Sequence, residues 1–202
     1  MKDAIKQLRE KTGAGMMDCK AALKEASGDA QKAVDILRKK GLAAAQKKSS
    51  RVTKQGVVQS YIHMGGKIGV LVEINCETDF VAKNDEFISF VKDIAMQVAA
   101  ANPLFVKKEE IPETLISKEK DILKSQASGS EKKKPANVIE KIIAGKLEKF
   151  YEEICLLEQP FIRDPKIKIR ELLTSVVAKT GENVVIRRFT RYQLGEEETA
   201  KV

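Results

Sequence analysis

The strongest constraint on the fold lies between Ile68 and Val98. Ile68, Val70, Val72 and Ile74 recur at every second position, the period of a half-buried strand. Phe87, Phe90, Val91, Ile94 and Val98 then recur at i, i+3, i+4, i+7 and i+11, the period of a helix with one apolar face. One element cannot carry both periods, so Glu77 to Asn84 is a strand-to-helix connection, where side chains are presented rather than buried. Asp79 and Phe80 stand side by side near its tip. An Asp before a helix ordinarily caps it, and a Phe there ordinarily packs back as a staple. The other reading is a probe, an anion beside a large apolar ring, that enters another protein.

The flanking segments divide the chain. Residues 1–45 read as three short helices. The first carries Ile5 and Leu8 and stops at Thr12-Gly13-Ala14-Gly15; the second begins near Met16 and runs to Ser27-Gly28. In the third, Asp29 is the N-cap, Ala30, Ala33, Val34 and Leu37 form the apolar stripe, and Lys39-Lys40-Gly41 forms the end. So small a core needs something to dock on. Residues 46–55 read as a polar, basic linker. Residues 56–195 read as an α+β core. In it, strands Val57–His63 and Lys67–Cys76 join through Met64-Gly65-Gly66, and a helix runs from Asp85 to Ala101 and stops at Asn102-Pro103. A helical hairpin over about 112–154 follows, with its turn at Ser128 to Pro135. Leu156 to Ile162 is extended, Asp164-Pro165 opens a helix bearing Ile169, Leu172, Leu173, Val176 and Val177, and Asn183–Tyr192 is a third strand. Residues 196–202 form an acidic tail. The expected fold class is α+β: a three-helix domain and about three antiparallel strands with several helices.

Composition excludes more than it assigns. The apolar share of 43% suits a folded core, and no run is long enough to span a membrane. The first residues look like a helix start rather than a signal peptide. Three widely spaced cysteines and one histidine suggest neither a disulfide framework nor a zinc site, which fits a reducing cytosol. His63 by itself reads as a polar residue at a hairpin end. No GxxxxGK[ST] occurs, so direct nucleotide binding through a P-loop is not expected. No catalytic constellation or cofactor is expected either. The charge of +8 and pI near 9.3 favour acidic partners, an acidic protein surface or RNA, although lysines on solvated helix faces would give the same balance.

Two stretches point further. Thr12-Gly13-Ala14-Gly15-Met16-Met17-Asp18-Cys19-Lys20-Ala21-Ala22-Leu23 and Asn75-Cys76-Glu77-Thr78-Asp79-Phe80-Val81-Ala82 resemble the two signatures of the elongation factor Ts family, in order and at the family's separation. Ser60 to His63, Glu158 to Ile162 and Thr180 to Asn183 are similar to further family stretches, so the resemblance covers nearly the whole chain. It implies a guanine-nucleotide exchange factor for elongation factor Tu. It also implies a three-helix ubiquitin-associated-like domain that grips the partner's GTPase domain, with Thr12, Gly13, Gly15, Met16, Met17 and Lys20 in that contact. The loop Thr78-Asp79-Phe80-Val81 would enter near the partner's Mg²⁺ and nucleotide. His63 would face another domain of the partner, and Thr180-Gly181 would lie near the loop. With one hairpin and one closing strand, the chain resembles the short family form, which implies a homodimer.

A different class remains open: an RNA- or ribosome-associated protein using the basic clusters at 38–54, 132–134 and 187–191. Against it, aromatic residues are few (5%) and are not interleaved with those clusters, as stacking platforms require. A third reading makes residues 1–45 a helix-binding adaptor that works alone.

Overall fold

The computed structural model describes residues 2–128 and 136–196. The turn of the helical hairpin and the acidic tail beyond Glu196 lie outside the described residues. Three helices, α1 (Lys2–Thr12), α2 (Met16–Glu25) and α3 (Ala30–Lys48), bury Leu8, Cys19, Ala22, Leu23, Ala33 and Leu37 against one another. Asp29 caps α3 as expected, its carboxylate accepting from the N–H groups of Gln31 and Lys32.

One expectation fails here. The third helix does not end at Gly41 but continues to Lys48, so residues 46–48 of the expected linker are its last turn. The reason is tertiary. Gly41 lies inside a helix–helix contact, where a Cβ would sit 3.8 Å from Ala178 and from Thr174 on α8 (Ile169–Thr180). Ala44 and Ala45, good helix formers, carry the turns onward. An ion pair between Arg38 and Glu171 fastens the same two helices. The three-helix unit thus docks on the core through α3.

The core is a three-stranded antiparallel sheet in the order β1 (Gln55–Ile62), β2 (Ile68–Cys76), β5 (Val185–Gln193). The tight β1–β2 turn uses Gly65 and Gly66 at φ +85° and +69°. At the other end Gly56 is required. Its φ is +145°, and a Cβ there would come within 2.2 Å of the Ile74 carbonyl oxygen. On one face, Val70, Val72, Ile74 and Cys76 of β2 meet Phe87, Phe90, Val91, Ile94 and Val98 of α5 (Asp85–Ala101), the expected stripe, all buried. Each such large side chain contributes about 1.5–3 kcal/mol of burial. Ile169, Val176 and Val177 of α8 complete the layer. Asn102 ends α5 in the left-handed conformation, φ +44°.

Residues α6 (Glu113–Ser128) and α7 (Ala136–Ile154) form the expected hairpin, packing chiefly on each other. Lys146 donates to Gln126 across the pair at 3.0 Å. The return to the core departs from expectation twice. Leu156–Glu158 is a 3₁₀ turn before the short strand β3 (Pro160–Phe161), and Asp164-Pro165 opens a strand, β4 (Asp164–Lys168), not a helix. Asp164 accepts from the N–H of Lys166 at 3.2 Å, which holds a turn there, and Pro160 pairs with Lys168. The helix starts only at Ile169, where burial begins.

Candidate partner interface

The strand-to-helix connection is built differently from a simple cap. Thr78, not Asp79, is the capping residue. Its hydroxyl oxygen accepts from the N–H of Val81 at 3.4 Å and starts a one-turn helix, α4 (Asp79–Ala82). Asn84 then caps α5 through the N–H of Glu86. Phe80 does not pack back as a staple. It is 82% exposed at the tip. Asp79 Oδ2 lies 2.9 Å from Lys83 Nζ, and that hydrogen bond, with the lysine's charge, holds the carboxyl below its ordinary range.

Behind the tip the backbone is fixed from two sides. The Glu182 carboxylate accepts from the N–H of Glu77 (3.1 Å), the N–H of Thr78 (3.0 Å) and the Thr78 hydroxyl (2.6 Å). In return, Glu77 Oε1 accepts from the N–H of Asn183 at 2.6 Å and pairs with Arg51. The Asn183 side-chain amide donates to the carbonyls of Arg51 (2.9 Å) and Ser49 (3.4 Å) in the segment after α3. Cys76 Sγ donates to the Thr78 carbonyl at 3.1 Å, and burial raises its thiol to about 11.

The Thr12–Gly15 loop lies at this same end. Gly13 has φ +67°, and a Cβ there would stand 1.9 Å from Lys179 Cε; the Lys179 ammonium pairs with Glu86 in the first turn of α5. Met16 and Met17 are 60% and 73% exposed, and Lys20 is exposed beside them. The Thr12 hydroxyl donates to the Leu8 carbonyl, so it serves the loop itself. Thr180 likewise turns inward: its hydroxyl donates to the Val176 carbonyl at 2.8 Å and accepts from the N–H of Glu182. Gly181, at φ +75°, turns the chain out of α8 so that Glu182 faces the loop.

His63 is not part of this assembly. It sits at the hairpin end of the sheet, its ring 3.1 Å from the Tyr61 hydroxyl, and β2 alone separates it from Thr78 by roughly 26 Å at ~3.3 Å per residue. Among the described residues, no group of three or more His, Cys, Asp and Glu side chains is placed to hold a metal ion, and no helix is long and apolar enough to cross a membrane.

Comparison with known proteins settles the lineage. The profile of the family described as Elongation factor TS matches residues 42–196. The chain belongs to the elongation factor Ts family. It is 62% identical over 192 residues to elongation factor Ts of Carboxydothermus hydrogenoformans, covering 95% of this chain and 88% of that one. Elongation factor Ts of Caldanaerobacter subterraneus subsp. tengcongensis is 61% identical over 193 residues, 96% of each chain. That of Thermodesulfovibrio yellowstonii is 61% identical over 192 residues, 95% of this chain and 94% of the relative. Both family signatures were legible in the sequence of this elongation factor Ts chain, and Glu77, Glu182 and Asn183 lie within family stretches, but their mutual contacts and the Lys83 pair with Asp79 were not foreseen. Lys83 alone had a local signal, its i, i+4 spacing from Asp79.

Proposed function

We propose that the protein is a guanine-nucleotide exchange factor for elongation factor Tu, acting in the cytoplasm during polypeptide elongation. The observation that carries this reading is a large aromatic ring, Phe80, held 82% exposed beside an ionised Asp79 on a loop braced from behind. A ring left in water is normally withdrawn into a core, so one fixed outward is suited to burial in a partner.

Nucleotide on such a GTPase is held by P-loop N–H groups, a lysine and Mg²⁺. Phe80 wedges between the elements that flank that site, and Asp79 shifts the groups that hold the ion. With Mg²⁺ lost, phosphate charge is left unneutralised and GDP leaves faster. Val81 and Thr78 carry the loop, while Met16, Met17, Lys20 and the Thr12-Gly13-Ala14-Gly15 turn grip the GTPase domain. No covalent bond is made or broken. Linkage requires that GDP weaken this protein's binding by the factor by which the protein weakens GDP binding.

The second face of the sheet supports a homodimer. Val58, Ile62, Leu71 and Tyr192 are each half exposed or more and share that face by register.

The test is the release of a fluorescent GDP from purified elongation factor Tu. A large, saturable acceleration that Phe80→Ala weakens is the expected result. No acceleration while the two proteins still bind would overturn the reading and turn attention to RNA.

A further inference from the structure

We infer that Glu182 is the positioning residue of the exchange loop: it touches no partner, and sets the direction in which Asp79 and Phe80 are offered. This rests on the exchange reading above. Thr78 is the last residue before the probe, and each of its polar groups is engaged. Its N–H and hydroxyl both donate to Glu182, at 3.0 and 2.6 Å. Its carbonyl accepts from Cys76 Sγ at 3.1 Å and from the N–H of Ala82 at 3.3 Å. The preceding N–H, of Glu77, also donates to Glu182.

Glu182 is in turn fixed. Gly181 ends α8 in the left-handed conformation, the N–H of Glu182 donates to Thr180, and the N–H of the next residue donates to Glu77. The two carboxylates therefore form a reciprocal pair: Glu182 holds the backbone before the probe, and Glu77 holds the backbone after Glu182. Asn183 extends the pair to the carbonyls of Ser49 and Arg51, so the tether of the three-helix unit is seated on the same junction.

A carboxylate that accepts from two N–H groups and one hydroxyl at once restricts the loop more than any single contact on an exposed turn can. Released from it, Thr78 keeps only short-range bonds, and the Phe80 ring is free to lie back on the half-buried surface beside Val81. Only the outward conformer can enter a partner, so apparent efficiency scales with the fraction of chains that hold it.

The geometry makes chain length and acceptor number decisive, rather than charge. Glutamine keeps an oxygen for the two N–H groups and places its amide against the Thr78 hydroxyl, which can turn to accept. Aspartate keeps the charge but is one methylene too short to span the contact. Release of fluorescent GDP from elongation factor Tu is measured below saturation, as a second-order rate constant, for the wild-type chain and for Glu182→Gln, Glu182→Asp and Glu182→Ala. Glu182→Gln is expected to retain at least about half the wild-type second-order rate constant, and Glu182→Asp and Glu182→Ala to fall about tenfold. In an Asp79→Ala, Phe80→Ala background, Glu182→Ala is expected to add no further loss, because Glu182 acts only through those two side chains. Amide hydrogen exchange of the free protein reads the clamp without activity: Glu77 and Thr78 exchange faster in Glu182→Ala and Glu182→Asp, while Val72 and Ile94 do not. Aspartate active and glutamine inactive would overturn the inference, since charge would then be acting on the partner. So would a further loss from Glu182→Ala in the chain lacking both the Asp79 and Phe80 side chains, or unchanged exchange at Glu77 and Thr78. No acceleration by the wild-type chain would instead remove the exchange reading itself.

Discussion

Asp79 and Lys83 face each other across one turn, Oδ2 to Nζ at 2.9 Å, with Phe80, 82% exposed, next in the chain after Asp79. The Lys83 hydrogen bond, then its charge, holds the Asp79 carboxyl below its ordinary value of 3.8. A depressed folded value means that whatever the pair adds is present above the ordinary value and is lost as pH falls through the depressed one. Asp79 is therefore an anion throughout the neutral range, and exchange activity should show no Asp79 titration between about pH 6 and 8. Carboxyl NMR should place the Asp79 midpoint below 3.8, and Lys83→Ala should move it up toward that value. A midpoint at or above the ordinary value in the wild-type chain would contradict the pairing.

Phe80→Ala separates function from folding. The ring is 82% exposed, so its removal should change unfolding stability by less than about 0.5 kcal/mol. GDP release should nonetheless slow by at least about tenfold, a loss of roughly 1.4 kcal/mol of partner interaction. Thermal unfolding and release kinetics on the same preparation check both halves.

Gln97 shows the opposite division. It is fully buried, donates to Gln159 and to the Pro160 carbonyl, both at 3.2 Å, and accepts from the N–H of Ile162 at 2.9 Å. These bonds pin the return from the helical hairpin to α5. Gln97→Leu keeps the volume and leaves those groups unpaired, at a cost of about 2–4 kcal/mol by denaturant unfolding. Exchange activity well below the transition should stay within about twofold of wild type, because none of these groups touches the loop.

Cys76 and Cys155 are buried and free, and burial is the main cause that pushes each thiol up to about 11. Near pH 8 both should resist a thiol-specific reagent in the folded protein and react on unfolding. A raised folded value means their contribution is complete below the ordinary 9.0 and is lost as pH rises toward 11. Stability measured over that window should fall less steeply in a Cys76→Ala, Cys155→Ala variant than in the wild-type chain.

The open sheet face yields a test of assembly. Sedimentation at micromolar concentration should give twice the chain mass of 22.4 kDa, and Leu71→Glu should give the single-chain mass. The residue is 50% exposed in one chain, so the change should leave the fold intact. A wild-type monomer at those concentrations would remove the dimer from the proposal.

Local chemistry made much of this protein legible before its tertiary structure. Alternation over Ile68–Ile74 and the stripe from Phe87 to Val98 specify one strand and one helix because both periods are properties of a few consecutive residues. Asp29, Gly65-Gly66 and Asn102 act where their own backbone needs them, so the start of α3, the β1–β2 turn and the end of α5 fell where expected. The change from one period to the other placed Asp79 and Phe80 on a connection for the same reason. What only the tertiary structure decided is everything that depends on partners distant in the chain. Gly41 does not end α3, because α8 packs against it. Asp164-Pro165 does not start a helix, because β3 is there to pair with it. Thr180 turns inward, and Glu182 reaches Thr78 across 104 residues, a contact that no period or spacing encodes. Side-chain periodicity is written within one turn or one pleat; which carboxylate meets which amide is settled only when the sheet, α5 and α8 close around a common core.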